Sequence, residues 1–411
     1  MQTPGDYKTM EITTRIGCRV MCSVCPQELL VRRFREEGET AQLMSLETFK
    51  TCVDKIPPEI FIAFSGMAEP FLNPDCSDMI RYAADAGHRL SLYTPCLGMT
   101  CADVEKISSL EFRRFVLHLP DRDSNARIPV TKQYLEVLSA ILQHTSLTPH
   151  LSAMGPLHEQ IVPLLEGRVV SNQMEELYSR GGSVDCGHKR HATGAIYCSR
   201  CPSLQQNVLL PNGDVLLCCM DYGLEHRLGN LLRDSYSDLH RSPAMDRLRR
   251  AQQDPAAGDV LCRRCEAAVE IEDTAQIEAT LAALSRLRLE LGQEVTLLDA
   301  AWRELEPGRL RLYLLYSIRH ALPGDFRIFL HARPPEGQHE ILPPSRRQHG
   351  FDNWDFNPPQ PTSAWEQTEH LLIHTDIIAE AADYTLSTGF CDMHGEVYGR
   401  SGWFLLGPHA I

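Results

Sequence analysis

Cys18-Arg19-Val20-Met21-Cys22-Ser23-Val24-Cys25 is the stretch on which the reading of this chain turns. Three cysteines fall within eight residues, spaced C-x3-C-x2-C. Thiolates this close together are soft ligands that suit an iron–sulfur cluster or zinc. A closed zinc site takes four ligands, and no fourth cysteine or histidine lies nearby. Three cysteines can instead hold three irons of a 4Fe–4S cube and leave the fourth iron open to a small molecule. The plainer alternative is a partial zinc knuckle, or three unconnected thiols.

Working outward, Met10-Glu11-Ile12-Thr13-Thr14 reads as a strand that delivers this loop. Ser45 is placed to cap a helix carrying Phe49 and Val53, which Pro57-Pro58 ends. Ile60-Phe61-Ile62-Ala63-Phe64 is a continuous apolar run, the mark of a strand buried on both faces. Asp75 can cap the next helix, through Met79, Ile80 and Ala84, and Gly87 stops it. Leu90 to Thr94 and Phe115 to Leu119 are further strands, with a short helix from Ala102 to Ser108 between them. A helix near Tyr134 to Leu142, a strand near His150 to Ala153 and a helix near Leu157 to Leu165 continue the alternation. This order implies βαβ units and a parallel sheet, with roughly six repeats by about residue 180. In such sheets the ligand site lies at the carboxyl ends of the strands, which is where the cysteine loop falls.

Composition sets the bounds. The 411 residues are 43% hydrophobic, enough for two or three domains with real cores. A formal net charge of −14 argues against nucleic acid as the main partner, because phosphate binding needs a basic surface. No run of about 18 apolar residues exists to span a membrane, and the first residues lack a signal-peptide core. The expected compartment is the cytoplasm, where fifteen cysteines favour metal ligation over disulfides.

Together these features resemble the radical S-adenosylmethionine (SAM) enzymes. The resemblance implies a partial (β/α)6 barrel with a 4Fe–4S cluster on Cys18, Cys22 and Cys25. The open iron would bind the amino and carboxylate groups of SAM. One electron, from a donor such as flavodoxin or ferredoxin, would then release a 5′-deoxyadenosyl radical that abstracts hydrogen from the substrate. Phe64-Ser65-Gly66-Met67-Ala68-Glu69-Pro70 resembles the family's G-G-E-P-like segment, whose backbone pairs with the SAM amino group. Ser65 stands at the usual first-glycine position, Gly66 permits close approach of the main chain, and Glu69 is the acidic residue. Taken alone, the same stretch is an apolar strand ending in a glycine turn. His118, ending the fourth strand, and Arg180, in Ser179-Arg180-Gly181-Gly182, sit where the family contacts SAM; structural or surface roles are the alternative.

A second cysteine group follows. Cys201 precedes Pro211-Asn212-Gly213-Asp214, a hairpin turn signal, then Cys218-Cys219 and, later, Cys262-Arg263-Arg264-Cys265. This set resembles the SPASM or twitch extension of radical SAM enzymes, in which four cysteines hold an auxiliary 4Fe–4S cluster. No cysteine occurs from Glu266 to Glu290, so one auxiliary cluster is expected rather than two. The implied ligands are Cys201, Cys218, Cys262 and Cys265. Cys198 is the alternative to Cys201, and Cys219 to Cys218. The spacing alone also allows a four-cysteine zinc site.

The last third changes character. Ile271 to Leu291 has helical spacing, and four later apolar segments separated by Pro- and Gly-rich loops suggest a β-sandwich. The expected class is thus α/β: a barrel at 8–185, a cluster extension at 186–270, a connecting helix at 271–295 and an accessory sandwich at 296–411. The sandwich loosely resembles domains found beside glycan-handling proteins, and Trp354 and Trp365 are candidates for a sugar platform or for packing. The expected reaction is oxidation of a carbohydrate, amino sugar or nucleotide sugar by a radical SAM oxidoreductase. Epimerisation, with Cys96 as candidate hydrogen donor, and maturation of a ribosomal peptide are the alternatives within the family. A non-catalytic metal- and glycan-binding protein is the alternative outside it.

Overall fold

The computed structural model describes residues 8–39, 41–172, 179–185, 191–333, 352–353, 355–378, 384–392 and 396–406. The chain forms two compact units, one of residues 8–191 and 204–266, the other including 192–203 and 267–411.

The first unit opens with β1 (Thr9–Ile12), α1 (Gln27–Glu36) and α2 (Leu46–Val53). Then come β2 (Phe61–Phe64), α3 (Cys76–Asp85), β3 (Leu90–Thr94), α4 (Cys101–Ile107) and β4 (Phe112–Leu119). α5 (Lys132–Gln143), β5 (His150–Ala153) and β6 (Val170–Asn172) complete the run. β1 to β6 lie side by side in chain order, each parallel to the next.

Local chemistry explains the elements. Every residue of β2 is buried, and a side chain such as Ile62 or Phe64 gains roughly 1.5–3 kcal/mol from leaving water. The Ser45 hydroxyl accepts the Thr48 N–H at 3.0 Å, and Thr131 accepts the Tyr134 N–H at 3.2 Å, so both helices start on a capped donor. Thr100 and Asp103 close a reciprocal capping box on α4. Met10, Ile12, Ile62, Phe64, Leu92 and Leu117 share one face of the sheet and are almost wholly buried. Phe49 of α2 covers that face, its ring 5.7 Å from Phe64. The opposite face carries Glu11, Ser65, Tyr93, Arg114, His118 and His150.

The helix expected at Leu157 to Leu165 is not formed. Only a 3-10 turn, Val162–Leu165, stands there, while Leu157 pairs with Asp121 in an isolated bridge. Pro163 removes a helical donor, and Gly155-Pro156 and Gly167 interrupt the stretch on either side.

β7 (Ile196–Cys198) belongs to the second unit. The chain then returns to the first with β8 (Gln206–Leu209), β9 (Asp214–Leu216) and β10 (Arg227–Asn230), followed by α6 (Tyr236–His240) and α7 (Pro243–Gln253). β8 pairs parallel to β1, with Leu209 opposite Ile12, and β9 and β10 add antiparallel strands beyond it. The result is one sheet of nine strands. The hairpin expected in a small separate extension therefore lengthens the barrel sheet instead. Asn212-Gly213 makes its turn, with Gly213 at φ +85°.

In the second unit β11 (Ala268–Glu270) pairs with β7. The helix expected over 271–295 is only α8 (Ala275–Leu284), which Ser285 ends at φ +38°. Alternating Leu287, Leu289 and Leu291 then start strand structure. β12 (Leu289–Glu290), β13 (Val295–Glu306), β14 (Arg309–Ile318), β15 (Arg327–Arg333), β16 (Asp352–Asn353), β17 (Thr368–Ile378), β18 (Tyr384–Cys391), β19 (Val397–Arg400) and β20 (Phe404–Leu406) make two antiparallel sheets. Leu312, Leu314 and Tyr316 from one sheet and Ile328, Leu330 and Phe390 from the other fill a single core, as a β-sandwich requires. Trp365 is in that core, 3% exposed, with its ring 5.9 Å from Tyr316, so it is not a sugar platform. Trp354 lies outside the described residues.

The sandwich unit also claims residues 192–203, against the expected boundary at 296. The Tyr197 hydroxyl donates to the His374 carbonyl at 2.9 Å, and the Asn357 amide to the Arg200 carbonyl at 2.8 Å. No described helix is long and apolar enough to cross a membrane.

Candidate functional site

The loop after β1 gathers the three cysteines at the carboxyl end of the sheet. Burial raises the Cys18 thiol and pushes that of Cys22 up to about 12. The companion sulfurs add to both shifts, and Arg180 opposes the one at Cys22. Donors point at the sulfurs: the Glu69 N–H at 3.4 Å from Cys18 Sγ, the Gln27 amide at 3.4 Å from Cys25 Sγ, and the Tyr222 hydroxyl at 3.1 Å from Cys25 Sγ. Gln27 also accepts the Cys18 N–H at 3.0 Å and donates to the Met67 carbonyl. The Ser23 N–H donates to Asn125 O at 2.8 Å and the Arg127 N–H to Val20 O at 2.8 Å, which fastens the cysteine loop to the loop after β4. Asp121 holds that second loop by accepting the Asn125 and Ala126 N–H groups, each at 2.8 Å. Three soft thiols, with hydrogen-bond partners at Cys18 and Cys25, suit an iron–sulfur cluster, whose sulfur charge such bonds stabilise, although among the described residues no three such side chains stand close enough as placed to hold a metal ion.

Ser65 to Glu69 packs against the same loop. Gly66 has φ +54°, and a Cβ there would lie 2.4 Å from Thr13 Oγ1 and 2.9 Å from the Ile12 carbonyl. Thr13 accepts the Met67 N–H at 3.0 Å, and Ser65 donates to Glu11 at 3.1 Å. Glu69 is buried; its Oε1 accepts from Thr94 at 2.7 Å and from the Phe71 N–H at 3.2 Å. Its Oε2 has no partner among the described residues, and burial pushes the carboxyl up to about 8.

The second cysteine group also assembles. Burial raises the Cys218 thiol far above its usual range, with Cys219, Cys262 and Cys265 adding to the rise, so the four thiols lie in one neighbourhood. Cys219 also packs against the apolar cluster of Leu30, Met67 and Tyr222, as Cys25 does. The turn bearing Cys262 and Cys265 is braced by the segment read for Arg180. The Ser179 N–H donates to Glu266 at 2.9 Å, and Gly181, at φ +62°, abuts Leu261 so closely that a Cβ would lie 2.2 Å from Leu261 Cδ1. His226 Nε2 accepts the Leu261 N–H at 2.9 Å. Cys201, whose Sγ lies 3.6 Å from Ser203 Oγ, and Cys198, on β7, both belong to the other unit.

The remaining candidates separate. Arg180 acts at the cysteine loop, opposing the rise at Cys22, with its Nη1 3.8 Å from Met220 Sδ. His118 lies further along the sheet, near His150 and Arg114. Cys96, 3% exposed, has Glu69, Thr94 and Tyr134 as its surroundings. Gln27, Tyr222, Asn125 and Gly181 were not singled out from sequence, since none carries a motif of its own.

Residues 197–266 match the model of SPASM, an iron–sulfur cluster-binding domain. No curated protein sequence matches the chain. Similar solved structures include BtrN in complex with AdoMet and 2-DOIA, at 15% identity and a TM-score of 0.42 over 63% of this chain and 92% of that one. Streptococcus suis SuiB bound to precursor peptide SuiA is similar at 13% identity and a TM-score of 0.44, over 64% and 70%. Native anSMEcpe with bound AdoMet is similar at 13% identity and a TM-score of 0.36, over 62% and 86%.

Proposed function

We propose that this chain, which carries a SPASM iron–sulfur cluster-binding match at 197–266, is a radical SAM enzyme that oxidises a carbohydrate at a hydroxyl-bearing carbon. One observation carries the reading: a trio of thiols at the carboxyl end of the parallel sheet is linked through 218–222 to a second group of thiols. Cys18, Cys22 and Cys25 would hold one 4Fe–4S cluster. Cys218, Cys262 and Cys265, with Cys201 or Cys198, would hold the other. With SAM bound, the first group supplies a 5′-deoxyadenosyl radical that takes a carbon-bound hydrogen.

The chain's own part is position and shielding. The turn at Gly66, whose positive φ glycine takes freely, would present backbone groups to the SAM amino end, next to Cys18. Arg180 offsets negative charge beside Cys22. The second thiol group seats an electron acceptor, which an oxidation needs and an epimerisation does not. Cys96, enclosed with Glu69 and Tyr134, is the donor that epimerisation would require. The chain would work in the cytoplasm with a flavodoxin or ferredoxin as electron donor.

The test is SAM cleavage by anaerobically reconstituted, reduced protein. Wild type should form 5′-deoxyadenosine, Cys22→Ala should form none, and Cys262→Ala should retain uncoupled cleavage. Undiminished cleavage in Cys22→Ala would overturn the assignment. About eight irons per chain are expected, whereas about four irons with bound zinc would make the second group structural. In heavy water, oxidation leaves no deuterium on the reacting carbon. Deuterium that disappears in Cys96→Ala would establish an epimerase instead.

A further inference from the structure

On β4, Arg114, Val116 and His118 share the face opposite the one α2 covers. In the parallel ladder His150 pairs with Val116 and Ser152 with His118. Three basic side chains from two adjacent strands therefore surround Val116 on one face. Among the described residues no carboxylate pairs with Arg114. Its guanidinium lies 5.9 Å over the Tyr93 ring, a contact that uses none of its N–H donors. The Ser152 hydroxyl, on a residue 1% exposed, has no partner among the described residues. His150 Nε2 lies 3.0 Å from the Ser171 hydroxyl, which itself donates to the Leu151 carbonyl at 3.3 Å. That hydroxyl therefore accepts the Nε2 proton and leaves Nδ1 open. Of the acids on this face, Glu11 is on β1, three strands from β4, and is engaged by Ser65, and Asp214 is on β9, two strands further away.

We propose that this face binds an anionic group of the substrate, phosphate or carboxylate, between Arg114, His118 and His150. The inference deepens the function proposed above and rests on it for the identity of the ligand as substrate. Arg114 supplies a fixed charge with a planar fork of donors, and the Ser152 hydroxyl a further donor. The imidazoles make the site conditional. Burial, then His150 and Arg114, hold His118 down to about 4, and burial and Arg114 lower His150. Both are neutral at pH 7 when the site is empty. Among the described residues, Tyr93, Arg114, His150 and Ser152 share this face with His118 on its own and the adjoining strands, and none of them is an anion. An anion seated there supplies the missing counter-charge, so it binds together with protons and more tightly as pH falls.

The experiment uses the full chain as isolated, without clusters or SAM, with histidine rings labelled for NMR. Inorganic phosphate, pyrophosphate and glucuronate are titrated at about pH 6 and about pH 7.5. The resonances of His118 and His150, assigned by their loss in His118→Gln and His150→Gln, should move together and report tighter binding at the lower pH. Arg114→Gln should weaken binding at least tenfold, about 1.4 kcal/mol. Its resonance from His88, buried in the same unit with Nδ1 2.9 Å from the Ile60 carbonyl, should be unchanged as a check on folding. A response to phosphate and pyrophosphate points to a phosphorylated or nucleotide-linked sugar, and a response to glucuronate alone to a sugar acid; both support the site. No response to any of the three, or wild-type binding by Arg114→Gln, overturns it. Anion binding in a protein that does not cleave SAM would keep this inference and sink the proposed function. SAM cleavage without anion binding would do the reverse.

Discussion

The hydroxyl of Tyr222 lies 3.1 Å from the sulfur of Cys25, across 197 residues of sequence. Tyr222 is four residues beyond Cys218, whose thiol Cys262 and Cys265 help to push up, and three beyond Cys219, which packs, as Cys25 does, against the apolar cluster that holds Tyr222. The five residues from Cys218 to Tyr222 thus reach from one thiol group to the other. Asp221 fixes the segment by accepting the Glu225 and His226 N–H groups, each at 2.8 Å. Burial keeps the Tyr222 hydroxyl protonated, so toward a thiolate it acts as the donor.

Tyr222→Phe should therefore retain both sets of iron while changing the first. Loss of a donor to a cluster thiolate destabilises the more negative, reduced state. At about 1 kcal/mol for such a bond, the potential should fall on the order of 40 mV. Redox titration followed by electron paramagnetic resonance measures this; an unchanged potential and spectrum would mean that the contact has no bearing on the cluster.

Gly66→Ala should disturb the turn between Ser65 and Glu69. Its Cβ would strike Thr13 and the Ile12 carbonyl in a conformation alanine rarely adopts, a cost of at least ~2 kcal/mol. Gly38→Ala is the control: φ is +79° but nothing lies within 4 Å, so only the backbone term, ~1 kcal/mol, applies. Denaturant midpoints of the two variants should differ in that order, and equal midpoints would show that the crowding is relieved by movement of Thr13.

Gly181→Ala should act on the second thiol group. Its Cβ would displace Leu261, one residue before Cys262. Iron per chain should drop from about eight toward about four, with 5′-deoxyadenosine formation retained. Full iron content in this variant would show that Leu261 shifts without disturbing the turn.

His240 sets an acid limit on the first unit. Both ring nitrogens are enclosed without partners among the described residues, and burial, then Arg249 and Lys8, hold it down to about 4. The unfolded chain takes up a proton near pH 6.5, the folded one only near 4. Stability is thus fully present above about 6.5 and falls as pH drops toward 4, where the unfolded state binds the extra proton. After allowance for solvent screening the loss is on the order of 1–2 kcal/mol. His240→Phe should flatten that part of the stability–pH curve, and an unchanged slope would assign it to other groups.

What the sequence determined by itself was local. Contiguous apolar runs such as Ile60 to Phe64 specify buried strands whatever lies beside them. The C-x3-C-x2-C spacing keeps three sulfurs within one loop under almost any fold. Caps at Ser45, Thr100 and Thr131 are also near-neighbour chemistry, whereas the helix read at Leu157 to Leu165 failed because Pro163 outweighs apolar spacing. What only the tertiary structure decided depends on pairing between distant segments. β8 docks beside β1 with Leu209 against Ile12, and that register carries Tyr222 to Cys25 and joins the cysteine hairpin to the barrel sheet. The register of β4 with β5 sets His150 and Ser152 beside Arg114 and His118, residues that carry no signal in their own neighbourhoods. Residues 192–203 leave the barrel for the sandwich unit because β7 finds its strand partner in β11, about seventy residues onward. Such contacts are selected by the burial and hydrogen bonding of whole elements, which no window of neighbouring residues contains.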